Sequence, residues 1–241
     1  MAEHVAVIIP AKDESERIVS TVRSASTIEG VDLVLVVDDG STDHTGLLAE
    51  QAGATVVRHP VNRGKAAAMQ SGAAALAGLE RDAGSAPRAL LFIDADLADS
   101  AVNTAPLAAP ILAREADMTI AILPRQATAG GGRGLVVNLA RRGIRQATGW
   151  TATQPLSGMR CLTRQAFEAA LPLAPGWGVE TGLTIDLLQA GLRVQEVPCE
   201  LHHRVTGRDW RAQVHRASQY RDVARALWAR RFRRLADRLS R

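Results

Sequence analysis

The sequence predicts an α/β fold, with a mostly parallel central sheet flanked by helices and a helical tail behind it. Three observations predict this class. Short runs that are apolar throughout recur along the N-terminal part of the chain, as strands covered on both faces require. Stretches of helix type separate them, and strand–helix alternation builds parallel sheets. Charged residues collect just after the apolar runs, and ligands of open α/β sheets bind outside the carboxyl ends of the strands.

The first run is His4–Ala11, HVAVIIPA, closed by Pro10 and followed by KDESER and a helix from about Ile18. A second strand, Leu33–Val37, runs into Asp38-Asp39-Gly40-Ser41-Thr42-Asp43. Gly40 suits a tight turn there, and Ser41 or Thr42 can cap the helix that follows. The short strand Ala54–Val57 leads to HPVNRG at 59–64, and Lys65 opens an alanine-rich helix to about Leu79. A cation is disfavoured at a helix N-terminus, so Lys65 there points to a use beyond solvation. The fragment Leu90–Leu97, LLFIDADL, is expected as an interior strand that ends in Asp94 and Asp96. Two carboxylates one residue apart at such an end can hold a divalent cation against a diphosphate. A polar turn accounts for a lone D-x-D equally well, and the neighbouring motifs raise the metal reading above it.

Farther along lie Gly130-Gly131-Gly132-Arg133, a helix-type stretch from about Val136 to Thr148, and the segment Gln154–Arg160. A glycine run leaves backbone amides accessible, and the Arg133 fork suits a phosphate or carboxylate. A mobile glycine loop explains the same run without a ligand. Glu180 stands at the start of a helix expected over Thr181–Gly191, where the helix dipole favours a carboxylate and where it can also serve chemistry.

Length and composition agree with one domain. The chain has 241 residues, and no Pro/Gly/Ser linker or repeat divides it. Hydrophobic residues make up 46% and aromatics 3%, so the core is expected to be mostly Ala, Leu, Val and Ile. Cys161 and Cys199 match no zinc or redox spacing and are expected to be reduced. No signal peptide or membrane-length apolar run is visible, which leads us to expect a soluble, cytoplasmic protein, with contact at the inner membrane face as an alternative for its tail. That tail, 207–241, carries 11 Arg and 3 Asp for a net +8, whereas the whole chain is +4 and the remainder therefore −4. Within it Trp210, Val214, Ala217, Ala224, Trp228, Phe232, Leu235 and Leu239 recur at helical spacing. Such a helix packs on the body of the protein or lies on an anionic membrane surface, and the first reading is preferred. Nucleic acid is not expected, because the aromatics fall on the apolar stripe instead of among the arginines.

The order VIIPAKDE, VVDDGSTDHT, HPVNRGKAAAMQSG and FIDADL resembles the GT-A-type, family 2-like glycosyltransferases, which use nucleotide-diphosphate sugars. The match covers residues 4–97. From Gln154 to Arg208 the resemblance is looser: QPLSGMR, LPLAPGWGVETGLTIDLL and ELHHR look like the glucosyl-3-phosphoglycerate synthases, and EVPCELHHRVTGRD also looks like the polyprenyl-phosphate sugar synthases of the dolichyl-phosphate mannose synthase kind. The resemblance implies a GT-A fold in a single catalytic domain over 1–206, with a nucleotide-sugar half (1–100) and an acceptor half (101–206), followed by a basic helix over 207–241.

The resemblance also implies roles. Pro10 and Ala11 would contact the nucleoside, Glu14 the ribose, Asp39 the base, and Lys65 the base or a phosphate, with Asp38 left to the turn. Asp96 would be the direct ligand of a Mg²⁺ or Mn²⁺ ion, with Asp94 near the ribose or bound through water and His203 completing the metal site. Gly132 would lie against the nucleotide sugar and Arg133 would hold the acceptor's anionic groups, although Gly134-Leu135 replaces polar residues of the phosphoglycerate enzymes. Glu180 would be the general base of an inverting enzyme or the acceptor-orienting group of a retaining one. The function so implied is metal-dependent transfer of a hexose from a UDP- or GDP-linked donor to an anionic or phosphorylated small acceptor such as phosphoglycerate. The alternatives are a polyprenyl-phosphate glycosyltransferase at the membrane face and a non-catalytic sugar-nucleotide-binding module. A homodimer is compatible with each.

Overall fold

The computed structural model describes residues 4–124, 134–201 and 210–239, and within the last of these the side chains of 217–232. The strands are β1 (Val5–Ala11), β2 (Val31–Asp38), β3 (Thr55–Arg58), β4 (Ala89–Phe92), β5 (Met118–Ile122), β6 (Arg160–Leu162) and β7 (Val194–Pro198). They form one seven-stranded sheet in the order β3-β2-β1-β4-β6-β5-β7. β1, β2, β3 and β4 run parallel, as do β5 and β7, and only β6 is antiparallel to its neighbours. The parallel strands are apolar throughout because both sheet faces are covered: Val5, Val7, Ile9 and Leu91 enter one core, and Ala6, Ile8, Leu90 and Phe92 the other.

The helices are α1 (Ile18–Ala25), α2 (Thr45–Gln51), α3 (Lys65–Ala83), α4 (Ala109–Leu112), α5 (Leu135–Thr148), α6 (Arg164–Ala169), α7 (Val179–Gln189) and α8 (Trp210–Leu239). β4 is shorter than expected. It ends at Phe92, and the following residues leave the sheet in a turn before the 3-10 segment Ala98–Leu107. Thr21 of α1 fixes that turn by donating to Ala95 O at 2.8 Å and accepting from Ala98 N at 2.9 Å. The expected cap of α2 is also corrected. Neither Ser41 nor Thr42 caps it. Instead Asp43 accepts the Thr45 amide at 3.0 Å, while Asp13 accepts the Thr42 amide at 2.7 Å. Asp13 adopts φ 54°, and this left-handed turn laces the loop after β1 to the loop after β2. Both cysteines are buried and free, and burial pushes the Cys161 thiol up to about 12.

The chain moves outward from β1 through β2 to β3 and then crosses back to β4 beside β1. This makes the gap above the β1 and β4 carboxyl ends the switch point of the sheet, where open α/β folds place ligands.

α8 packs against α5, α7 and the 3-10 turn Gly176–Gly178. Its face differs from the expected one. The buried residues are Val223, Ala226 and Arg230, whereas Trp228 and Phe232 of the expected apolar stripe are 65% and 58% exposed. The reason is close approach. A Cβ on Gly178 would lie 2.7 Å from both Ala226 Cβ and Asp222 O, and one on Gly182 would lie 2.6 Å from Arg230 Nη2. Small residues and one arginine fit that seam, where Arg230 pairs with Asp186. Bulky aromatics do not.

Candidate active site

A cavity of about 330 Å³ opens above the β1–β4 switch point, lined among others by Pro10, Glu14, Lys65, Asp94, Asp96 and Glu180. Strand ends and helix starts supply these groups. Pro10 lies one residue before the end of β1, Lys65 is the first residue of α3, and Glu180 lies in the first turn of α7. Asp94 and Asp96 alternate with the buried Ile93, Ala95 and Leu97, so the D-x-D turn keeps its apolar side chains in the core and both carboxylates at the cavity.

Lys65 organises this site. Its Nζ lies 2.7 Å from Asp94 Oδ1 and 3.2 Å from Glu180 Oε1, linking the acid of the D-x-D turn to the acid on α7. Burial works against the ammonium, but Asp94 and Glu180 outweigh it and raise the Lys65 pKa above the ordinary lysine value. The lysine is therefore a fixed cation, held between two carboxylates. Gly158 permits the arrangement, since a Cβ there would collide with Lys65 Nζ and lie 2.9 Å from Asp94 Oδ1.

Asp38 and Asp39 are both engaged. Asp38 Oδ1 accepts the Ser41 amide at 2.9 Å, the turn role expected of it. Asp39 does not line the cavity with Lys65. Its Oδ1 accepts from His59 Nδ1 at 2.7 Å and from the Arg63 amide at 2.8 Å, and its Oδ2 accepts the Gly64 amide at 2.7 Å. Burial alone raises its pKa, and these donors more than offset that and bring it below the ordinary carboxylate value. The other ring nitrogen of His59, Nε2, lies 2.9 Å from Ser71 Oγ, so the imidazole is held at both nitrogens. Gly40 lets the two turns meet: at φ 70° a Cβ would stand 2.6 Å from Asn62 N. Asp39 thus holds the HPVNRG turn that presents Lys65.

Ala11 is buried behind the cavity, and Glu14, on its wall, pairs with Arg17 at 3.2 Å. Gly132, Arg133 and His203 lie outside the described residues. Among the described residues no group of three His, Cys, Asp or Glu gathers around one point. Asp94 and Asp96 nonetheless offer hard oxygen donors at the cavity, the donor type that suits Mg²⁺ or Mn²⁺.

Sequence reasoning missed several groups. Lys12, Val136, Leu156, Trp177, Gln219 and Val223 also line the cavity. Trp177 had a signal, an indole in a glycine-flanked turn just before Glu180, but nothing in sequence spacing brings Gln219 and Val223 of α8 to the same wall. Arg160 was also missed. It is 1% exposed and donates to Pro155 O at 3.1 Å, Ser157 O at 2.9 Å, Glu180 O at 2.9 Å and Thr184 Oγ1 at 2.9 Å. Burial pushes its pKa down to about 10, against the pull of Glu180 and Glu196. This one guanidinium ties the 155–158 loop to the first turn of α7, and so sets Gly158 and Glu180 around Lys65.

A model of glycosyl transferase family 2 matches residues 6–170. The glucosyl-3-phosphoglycerate synthase of Mycolicibacterium paratuberculosis is 32% identical over 205 residues, 76% of this chain and 59% of that protein. The Mycobacterium tuberculosis enzyme of the same name is 33% identical over 205 residues, 76% of this chain and 60% of that protein. This chain therefore spans about three fifths of the length of these relatives. A crystal structure of the M. tuberculosis enzyme with Mn²⁺, uridine diphosphate and phosphoglyceric acid superposes with a TM-score of 0.75 at 28% identity, covering 95% of this chain and 78% of that one.

Proposed function

We propose, on the premise that this chain belongs to glycosyl transferase family 2, that it transfers a hexose from a nucleotide-diphosphate sugar, UDP-glucose foremost, to a small phosphorylated acceptor such as phosphoglycerate. The observation that carries this reading is the Lys65 bridge between Asp94 and Glu180 at the switch point of the sheet, with Asp96 on the same wall. The M. tuberculosis relative, crystallised with uridine diphosphate, Mn²⁺ and phosphoglyceric acid, supports the same choice of donor, ion and acceptor.

The residues divide the work by position. Asp39 Oδ1 is filled by two donors and Oδ2 by one, so Oδ2 retains the acceptor capacity that an imide N–H of uracil needs. Pro10 and Glu14 flank the path from base to ribose, and Asp94 stands where the ribose and sugar meet. When bound at Asp96 and His203, a divalent cation supplies charge neutralisation for the leaving diphosphate. Lys65 occupies one side of the Glu180 carboxylate, which leaves the other to accept a hydrogen bond from a sugar or acceptor hydroxyl. Glu180 is thereby an orienting group held by a cation, the role suited to a retaining enzyme. Arg133 supplies the fork for the acceptor's phosphate or carboxylate. A polyprenyl phosphate is the second acceptor class, favoured by the basic, aromatic outer face of α8, and a catalytically silent binding module is disfavoured by the intact set Asp94, Asp96, Lys65 and Glu180.

A thermal-shift panel of UDP-, GDP-, ADP- and dTDP-glucose with and without Mn²⁺ tests the donor assignment, because a ligand of the native state raises the apparent melting temperature. The expected result is a Mn²⁺-dependent rise with the uridine donor. No shift with any donor, or shifts indifferent to the ion, contradicts the reading.

A further inference from the structure

α8 has two faces, and the fold uses only one. The inner face, Val223, Ala226 and Arg230, is buried against α5, α7 and the 3-10 turn. The outer face carries Tyr220, Trp228 and Phe232 at 47%, 65% and 58% exposure, and the Trp228 and Phe232 rings meet at 5.4 Å between centroids. Trp228 and Phe232, four residues apart, form one exposed patch, and Tyr220 and Trp228 also border an open groove between α8, α5 and α7. The whole chain has only 4 Trp, 1 Tyr and 3 Phe, so exposing three of them on one helix is a large share of its aromatic side chains. On the same helix Arg221, Arg225 and Arg231 are exposed, and Asp222, the acid of 217–232, turns inward to the Trp177 amide and the Arg221 guanidinium.

We infer that this outer face of α8 docks the protein on an anionic membrane surface, with the helix lying in the interface plane. Exposed aromatics partition into the boundary between headgroups and acyl chains, and arginines beside them pair with anionic headgroups. Charge decides the occupant. A second copy would bring the same arginines face to face around a common axis, whereas an anionic lipid surface complements all of them at once. The packed and membrane-bound readings of the tail are thus compatible: each takes its own face of the same helix. The site already described opens beside α8, since Gln219 and Val223 line its cavity. Docking therefore brings the catalytic pocket close to the bilayer.

The experiment needs neither donor nor acceptor, so its failure is separable from failure of the proposed chemistry. The full chain is sedimented with phosphatidylcholine vesicles, with and without phosphatidylglycerol, at several salt concentrations. Binding is expected only with phosphatidylglycerol, and it weakens as added salt shortens the Debye length from roughly 30 Å to 8 Å. The Trp228→Ala/Phe232→Ala variant is expected to lose roughly tenfold or more in partitioning. The Arg225→Glu/Arg231→Glu variant, which keeps both rings, is expected to lose the preference for phosphatidylglycerol. Absence of binding at low salt, or binding unchanged in both variants, overturns the inference. A concentration-dependent dimer that Trp228→Ala/Phe232→Ala converts to monomer also overturns it, and assigns the patch to a second copy.

Discussion

At the scale of residues, the account rests on three buried or half-buried charges whose partners are specific. Lys65→Met leaves Asp94 and Glu180 facing each other without their shared cation. We expect a stability loss of about 3 kcal/mol, the lower end for breaking a buried pair because Lys65 is partly exposed, together with a fall in turnover of roughly a hundredfold or more. Urea denaturation and steady-state kinetics read the two separately. Arg160→Met removes the donor to Pro155, Ser157, Glu180 and Thr184 at once. Several buried acceptors are then unmet, so a loss of about 3 kcal/mol and a melting temperature lower by roughly 10 °C are expected in calorimetry. Asp39 gives a pH test with a definite sign. Its folded pKa is lowered from 3.8, so its contribution is present above that value and disappears as pH falls through the folded one. Asp39→Asn should therefore be less stable than the parent at pH 7, with the gap closing as both are titrated to acid pH, below the ordinary carboxylate value. A gap that stays constant to acid pH contradicts the assignment.

At the scale of elements, the seam under α8 is the part sequence periodicity could not orient. Spacing of Trp228 and Phe232 announces an apolar stripe, but it carries no information about which stripe a body with glycines at 143, 178 and 182 can accept. The close approach at Gly178 selects Ala226 instead. Gly178→Ala should push α8 away from the 3-10 turn, because its Cβ meets a backbone oxygen that cannot move aside. Faster hydrogen exchange in 217–232 with unchanged exchange in β1 and β4 is the expected result, and unaltered exchange in α8 contradicts the seam. The strands were more legible. β1 and β2 are apolar runs covered on both faces, and that condition leaves a direct trace in composition. The premature end of β4 was hidden, because Ile93 and Ala95 remain buried after leaving the sheet and so read as strand.

At the scale of the whole molecule, the ordered motifs singled out Pro10, Glu14, Lys65, Asp94, Asp96 and Glu180, and the fold brings them to one cavity because strand ends, the turns after them and helix starts meet at the same sheet edge. Arg160 and His59, which act from behind, lie inside the segments QPLSGMR and HPVNRG, but spacing gave them no role: Arg160 bonds mostly to backbone carbonyls of its own loop and of α7, and His59 meets Asp39 and Ser71 only through the fold. The charge is unevenly distributed, net negative in the body and net positive in the tail, which agrees with a cation proposed at the cavity and an anionic surface proposed for the outer face of α8. The central claim is that Asp96 at this site supports metal-dependent hexosyl transfer to a phosphorylated acceptor. Its most direct test is mass-spectrometric detection of glucosylated phosphoglycerate from UDP-glucose, Mn²⁺ and 3-phosphoglycerate, run with the parent chain, with EDTA, and with Asp96→Ala. The account predicts product from the parent, none with EDTA, and a loss of at least about a hundredfold with Asp96→Ala at a nearly unchanged melting temperature. Product that persists in EDTA, or an Asp96→Ala variant as active as the parent, would contradict it.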